Sequence, residues 1–322
     1  MREARPDKAA SEWQIWAALL VIYIVWGSTY LAIRVVVTGG MPPLLSAGVR
    51  FLVAALFLLA YVAVRKGSGS LRLSRGDWLG STFVGLALLL GGNGLVMLAE
   101  RTVPSALAAL IIAVIPLYVV VQRYLFRERV ASMTAIGVIV GVVGVAILIV
   151  PGGIDGSVEL VGVLMLLLAD LSWSIGTYFS KRVDLPADPL VNTGAQMIVG
   201  GTGLFVTGVA FGELGLVQPE RFTTDALFSF AYLIVFGSVL AYTAYTWLLQ
   251  HASVSRVATY AFVNPVIAII LGAALLGEDI SATMLIGAAM IVVAVAIVVR
   301  GESRQPPAAS GALEAKPAPD AA

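Results

Sequence analysis

The residues of this sequence that can hold a solute or move a charge lie inside apolar runs. Trp26, Ser28, Thr29 and Tyr30 crowd together, and Trp173, Thr177 and Tyr178 do so again. Tyr242 and Tyr245 stand at helical spacing and share a face, and Tyr260 and Asn264 follow. Aromatic faces beside small hydroxyls suit a cavity wall; the competing role is anchoring at the membrane–water interface. Arg50 sits about two turns inside an apolar run, with Gln196 at the corresponding place in a later one. It can form a structural ion pair with Glu100, or act as a cation for a carboxylate solute. Asp170 is the one acid with apolar neighbours for a turn or more on both sides. An acid at such depth is either a proton carrier or a packing element, protonated or paired. Gly91, Gly92 and Gly94 flank Asn93. They permit tight helix packing or a local break with Asn93 as a polar wall. Pro116 and Pro265 are expected to interrupt their segments and free backbone carbonyls.

Segments of about 20 apolar residues must position these groups, because a bilayer core needs that length of helix. Ten are expected, at 14–36, 44–64, 78–98, 104–125, 132–150, 158–179, 189–211, 226–249, 254–276 and 281–300. Short links rich in Gly, Pro and Asp join them, such as Gly39–Pro43 and Pro151–Gly156, and His251 reads as a loop residue. Glu128 and Glu278 fall at the starts of the fifth and tenth segments, where an acid suits the positive helix end. Residues 1–13 form an N-terminal tail, and the Ala/Pro-rich residues 301–322 read as a disordered one. With the N-terminus in the cytoplasm, every lysine and arginine except Arg34, Arg50, Arg101 and Arg221 falls on the inner side. That bias places both termini in the cytoplasm. Arg34, near the outer end of its helix, is expected to snorkel to the surface.

Composition removes whole classes of function. Hydrophobic residues make up 59% of the 322 and charged residues 12%, with a mean hydropathy of +0.96. A soluble domain carries about twice that charge fraction. The chain therefore reads as an all-α integral membrane protein. It has no cysteine and one histidine, so disulfides, thiol chemistry and Cys/His metal sites are not expected. The net charge of +1 and the lack of a basic stripe speak against nucleic acid as a partner. No G-x-x-x-x-G-K-[ST] loop is present to bind ATP. No metal or cofactor is expected.

The chain also repeats itself. Thr29-Tyr30 precede Arg34 by the same spacing as Thr177-Tyr178 precede Arg182. Pro43, Gly48 and Arg50 align with Pro189, Gly194 and Gln196. Pro116 aligns with Pro265, Glu128 with Glu278, and Ile136-Gly137 with Ile286-Gly287, always at an offset of 146 to 150 residues. Two repeats, 14–150 and 151–300, follow. Five helices per repeat is an odd number, so the second copy enters the membrane inverted, a plan recurrent in secondary transporters.

The stretches "WGSTYLAIRV", "PPLLSAGVRFLVAA", "GNGLVMLAERTVPSALAAL", "SWSIGTYFSKR" and "ATYAFVNPVIAIILG" resemble the EamA family of the drug/metabolite transporter superfamily. The resemblance covers nearly all of the chain between its tails. It implies a ten-helix bacterial inner-membrane carrier with a central cavity lined mainly by the first four helices of each repeat. It implies export or exchange of a small metabolite and leaves the substrate open, since the superfamily spans amino acids, nucleotide sugars and other solutes. Asp170 departs from the family pattern, which gives it no role. The expected function is thus a secondary transporter of a small metabolite, with proton coupling through Asp170 as one option. The alternatives are a membrane-embedded enzyme, which would need clustered His, Asp or Cys, and a non-transporting scaffold or channel. Direction, coupling ion and oligomeric state are not encoded in any motif.

Overall fold

A computed structural model describes residues 10–128, 132–149, 160–252, 257, 260–277 and 280–303. Among these residues the chain is helical and no strand occurs. Helices α1 (Glu12–Thr38), α2 (Pro43–Lys66), α3 (Arg75–Ala99), α4 (Ser105–Leu125), α6 (Leu160–Phe179), α7 (Pro189–Ala210) and α8 (Thr224–His251) are each long and apolar enough to cross a bilayer. Three more helices, α5 (Ser132–Ile149), α9 (Tyr260–Leu276) and α10 (Ala282–Ser303), carry shorter described apolar stretches. The ends are set by local chemistry. Ser11 and Gln14 close a capping box on α1, and Ser74 and Asp77 close one on α3. Asp188 caps α7, where Pro189 takes a first-turn position, as Pro43 does in α2.

His251 is the last residue of α8 rather than a loop residue, and α10 runs through Gly301–Ser303, which the sequence assigned to the tail. The disordered-tail reading otherwise falls on residues outside the described ones, as do the Pro151–Gly156 link and Glu278.

Packing obeys a two-fold pattern. Helix α2 lies on α7, and α5 on α10. Helix α1 packs on α9 and α8, while α6 packs on α4 and α3. Adding five to each helix number turns one set of contacts into the other, as two similar halves related by a rotation require. Large apolar side chains such as Leu56, Phe57, Tyr124 and Phe228 point outward. That outward face is expected where lipid is the solvent.

Two matched irregularities shape the middle of the molecule. Helix α3 widens into a π-helix over Leu86–Gly94, and α8 does so over Leu233–Tyr242. The glycines at 91, 92 and 94 therefore do not break α3. A side chain on Gly91 would stand 2.0 Å from the Ser172 Oγ, so the glycine lets α3 press against α6. Pro116 does interrupt its helix: α4 stops at Ile112, turns through Ala113–Val114 and resumes at Ile115. Pro265 does not, since α9 is continuous through it. Pro265 lies in the second turn of the described helix, where it removes a single bond to the first turn. With its nitrogen facing the carbonyls, the Asn264 amide donates to Tyr260 O at 3.2 Å and to Tyr23 O at 3.1 Å, tying α9 to α1.

Candidate functional site

Where α1, α2, α3, α4, α6, α8 and α9 converge, a narrow cavity remains. Its wall is built from Trp26, Thr29, Tyr30 and Ile33 of α1, Arg50 and Phe51 of α2, and Gly92, Asn93 and Val96 of α3. Ile112 and Ile115, Ala169 and Trp173, Gly237 and Tyr242, and Tyr260 complete it. Its volume is about 60 Å³. A water molecule needs roughly 10–15 Å³ on this measure, so the space suits a few waters and not a metabolite. A solute can enter only if the walls separate.

Six aromatic side chains stand in that wall, and several of them lock together. The Trp26 ring centroid lies 5.6 Å from Trp173, 4.9 Å from Tyr245 and 5.4 Å from Tyr260. Such pairs contribute about 0.5–1.5 kcal/mol each beyond their burial. The ring cluster joins α1, α6, α8 and α9, and no member serves as an interfacial anchor. Tyr245 stands behind the lining, with its hydroxyl 2.7 Å from the Thr177 Oγ1.

Arg50 is 3% exposed and lines the cavity. Its Nε donates to the Ser238 Oγ at 2.8 Å, and its guanidinium lies 4.6 Å from the Phe51 ring centroid. Nη1 has no hydrogen-bond partner. The pair with Glu100 considered from the sequence is not formed; Glu100 is buried away from the cavity lining, and its backbone carbonyl accepts from Arg34. That bond replaces the snorkelling expected of Arg34. Gly237 makes the approach of α8 to Arg50 feasible, since a Cβ there would stand 3.0 Å from Nη2. The Gly237 carbonyl also accepts from the Trp26 indole at 3.3 Å.

Asp170 is fully buried in α6 between the lining residues Ala169 and Trp173, and neither carboxylate oxygen has a hydrogen-bond partner. The hydroxyls of Tyr30, Tyr118 and Tyr260 lie within its electrostatic reach. Removing a partner from a buried charge typically costs about 3–5 kcal/mol. One cation and one acid without full partners, both beside the same cavity, are therefore the energetic anomaly of the structure.

Other residues singled out from the sequence lie off the wall. Ser28 turns away and shares a 2.6 Å hydrogen bond with Tyr232, while its neighbour Thr29 takes the cavity position. Gln196 accepts from the Tyr242 hydroxyl at 2.8 Å and donates to Asn192 at 2.8 Å, so it positions a wall residue from behind. Tyr178 donates to Glu128 at 2.7 Å, beneath the Arg182 guanidinium 3.7 Å from its ring. Glu128 also receives Arg123 Nε at 2.8 Å and pairs with Arg182, so it is an ion-pair hub joining α4 to α6, while residues 129–131, between it and the described start of α5, lie outside the described residues. Burial would raise its pKa. The Tyr178 and Arg123 hydrogen bonds and the Arg182 charge outweigh that and hold it below the usual carboxylate range. Phe51, Gly237 and Ser238 were missed from the sequence. Ser238 had a signal, a lone hydroxyl in the apolar run "LIVFGSVLAY".

Among the described residues the chain is helical, several helices can cross a membrane, and a charged side chain lines a buried cavity, an architecture that small-solute carriers share. The model of the EamA-like transporter family matches residues 13–150 and 160–300, once per repeat. The chain belongs to the EamA-like transporter family. It is 34% identical over 289 residues to the uncharacterized inner membrane transporter YedA of Escherichia coli strain K12, covering 89% of this chain and 91% of that one. It is 28% identical over 301 residues to the uncharacterized transporter YvbV of Bacillus subtilis, covering 92% and 96%. It is 27% identical over 294 residues to a probable amino-acid metabolite efflux pump of Salmonella typhimurium, covering 88% and 94%. A crystal structure with 20% identity superposes with a TM-score of 0.60 over 89% of this chain and 96% of its own, which supports the fold alone. The chain is a transporter and not an enzyme.

Proposed function

We propose that this transporter is a secondary carrier of a small carboxylate-bearing metabolite, such as an amino acid, exported or exchanged by alternating access. It comprises ten spans as two inverted repeats, 14–150 and 151–300, in the bacterial inner membrane with both termini in the cytoplasm. The observation that carries the reading is Arg50. It is a buried cation on the cavity wall with one free donor edge. A carboxylate accepts two parallel hydrogen bonds from a guanidinium, so Nη1 is the group such a solute would satisfy. The surrounding rings of Trp26, Trp173, Tyr242 and Tyr260 would pack its apolar part. The efflux-pump name of the Salmonella relative agrees with an amino-acid substrate.

Asp170 supplies the coupling in this reading. The carboxyl takes a proton when the cavity opens to one side and releases it when the cavity opens to the other. Tyr30 and Tyr260 stand both on the cavity wall and near that acid, so water admitted between them as the cavity opens would carry the proton. The test is uptake into proteoliposomes of amino acids, their amides and their decarboxylated amines. Carboxylate-bearing solutes should be carried and the amines and amides should not. Equal transport of the amines would remove Arg50 as the anchor.

A further inference from the structure

A second hollow, larger than the central cavity, opens on the outer flank between α1, α2, α7 and α8, with a volume of about 970 Å³. Its wall is apolar, with Ala18, Phe57, Tyr61, Phe236, Leu240 and Ala244 among its residues. Phe57 is 62% exposed and Tyr61 55%, so the space faces the membrane and not the protein interior. One end bears the only charged groups of the wall, Lys66 and Asp188, which pair with each other. Trp13, Gln14 and Trp247 surround that end, as an aromatic belt does at the headgroup level. From Trp247 to Val235 the wall follows α8 for twelve residues, a rise of about 18 Å. Half of the roughly 30 Å hydrocarbon core is close to that length. The groove therefore matches one leaflet, with its charged mouth at the surface and its apolar end near the midplane.

The mouth selects a headgroup. Asp188 is held in place because its Oδ1 accepts from Leu190 N and Val191 N while Oδ2 takes Lys66. Lys66 gives one of its three donors to Asp188, and its side chain is 54% exposed. A fixed acid beside an exposed ammonium presents both signs of charge within one bond length of each other. An anionic headgroup gains Lys66 but faces Asp188. A choline headgroup has no N–H to donate to Asp188. A primary-amine zwitterion satisfies both.

We infer that this groove seats an acyl chain of a zwitterionic aminophospholipid, its phosphate on Lys66 and its ammonium on Asp188. With the orientation proposed above, the lipid comes from the cytoplasmic leaflet. The site is independent of the solute cavity, so its test uses no substrate. Delipidated full-length protein would be titrated with phosphatidylethanolamine, phosphatidylcholine and phosphatidylglycerol of matched chains, and bound lipid counted by native mass spectrometry. The ethanolamine lipid should bind about tenfold more tightly than either other. Asp188→Asn keeps the helix cap, because Asn caps as well as Asp. It should shift the preference towards phosphatidylglycerol, and Lys66→Gln should abolish preference. Ala244→Phe fills the groove away from the charges and should lower binding of all three lipids about tenfold. Ala18→Phe does the same from α1 if that variant folds poorly. Equal binding of the three lipids, unchanged binding after both fillings, or a dimer mass that the fillings abolish while lipid stays bound would overturn the inference.

Discussion

The two repeats place the same short pattern, Thr-Tyr followed by Arg four residues later, in opposite roles. In α1, Tyr30 lines the cavity and Arg34 bonds the end of α3. At the end of α6, Tyr178 and the following Arg182 leave the cavity and join the Glu128 hub. One residue of spacing accounts for it. Trp26 and Tyr30 are four apart, but Trp173 and Tyr178 are five apart. At about 100° per residue the first pair shares a face, and the second diverges by about 140°. Thr177, four after Trp173, takes the inward position and bonds Tyr245. The same divergence separates Arg50 from Gln196. Each sits on its repeat's second helix, yet the amide is satisfied by Tyr242 and Asn192 while the guanidinium keeps a free edge. Symmetry supplies the scaffold, and departures from symmetry mark the site.

Four experiments break or sharpen that contrast. The largest effect is expected from Arg50→Gln, which makes the two second helices alike. Carboxylate transport in proteoliposomes should fall about 100-fold, since a charged, bidentate donor is lost. Gln196→Leu should cost only a few-fold, because it frees a wall residue without removing an anchor. Transport by Arg50→Gln within a few-fold of the parent would return the arginine to a structural role.

Next is Asp170→Asn, which keeps size and removes titration. Accumulation driven by an imposed pH gradient should vanish, while counterflow of preloaded solute persists. Loss of both together would mark a packing residue instead.

Third is Gly91→Ala, whose new methyl meets the Ser172 Oγ at 2.0 Å. Overpacking of this kind costs about 1–3 kcal/mol. The thermal unfolding midpoint should drop by about 2–6 °C, and an unchanged midpoint would show that α3 and α6 can separate freely.

The smallest effect belongs to the α6 hub. Glu128 has a depressed folded pKa, so its stabilisation is present above the unfolded value and is lost as pH falls through the folded one. Glu128→Gln should lower the midpoint by about 2 °C at pH 7, and the difference should begin to close below about pH 4. A difference that does not shrink at all as the pH falls would assign the effect to packing rather than charge.

Much of this was legible in the sequence because lipid forces the issue. A membrane-crossing helix announces itself by length and hydropathy. The seven such elements match the expected segments to within three residues at each end. The repeat was legible because Pro43/Pro189 and Gly48/Gly194 keep their spacing. Cavity walls follow helix rotation, and here the sequence misled where spacing was ignored. Ser28 and Tyr30 are two apart, about 200° around the helix, and cannot face one cavity. Ser238 and Gly237 stayed hidden because their roles exist only once α8 meets α2. Pro265 misled because a proline can remove one backbone bond without ending the helix.

The widened turns of α3 and α8 carry a record of descent. A π segment arises when one residue is inserted into an α-helix and the backbone absorbs it as an i→i+5 turn. Leu86–Gly94 and Leu233–Tyr242 occupy equivalent places, 147 to 148 residues apart, inside the offset that relates the two halves. Two separate insertions at the same depth of the same helix are a needless coincidence. A single insertion in an ancestral half-length gene, copied when that gene doubled, explains both. The half-length ancestor would then already have carried the widened helix, and would have had to pair with a second copy of itself to enclose a cavity.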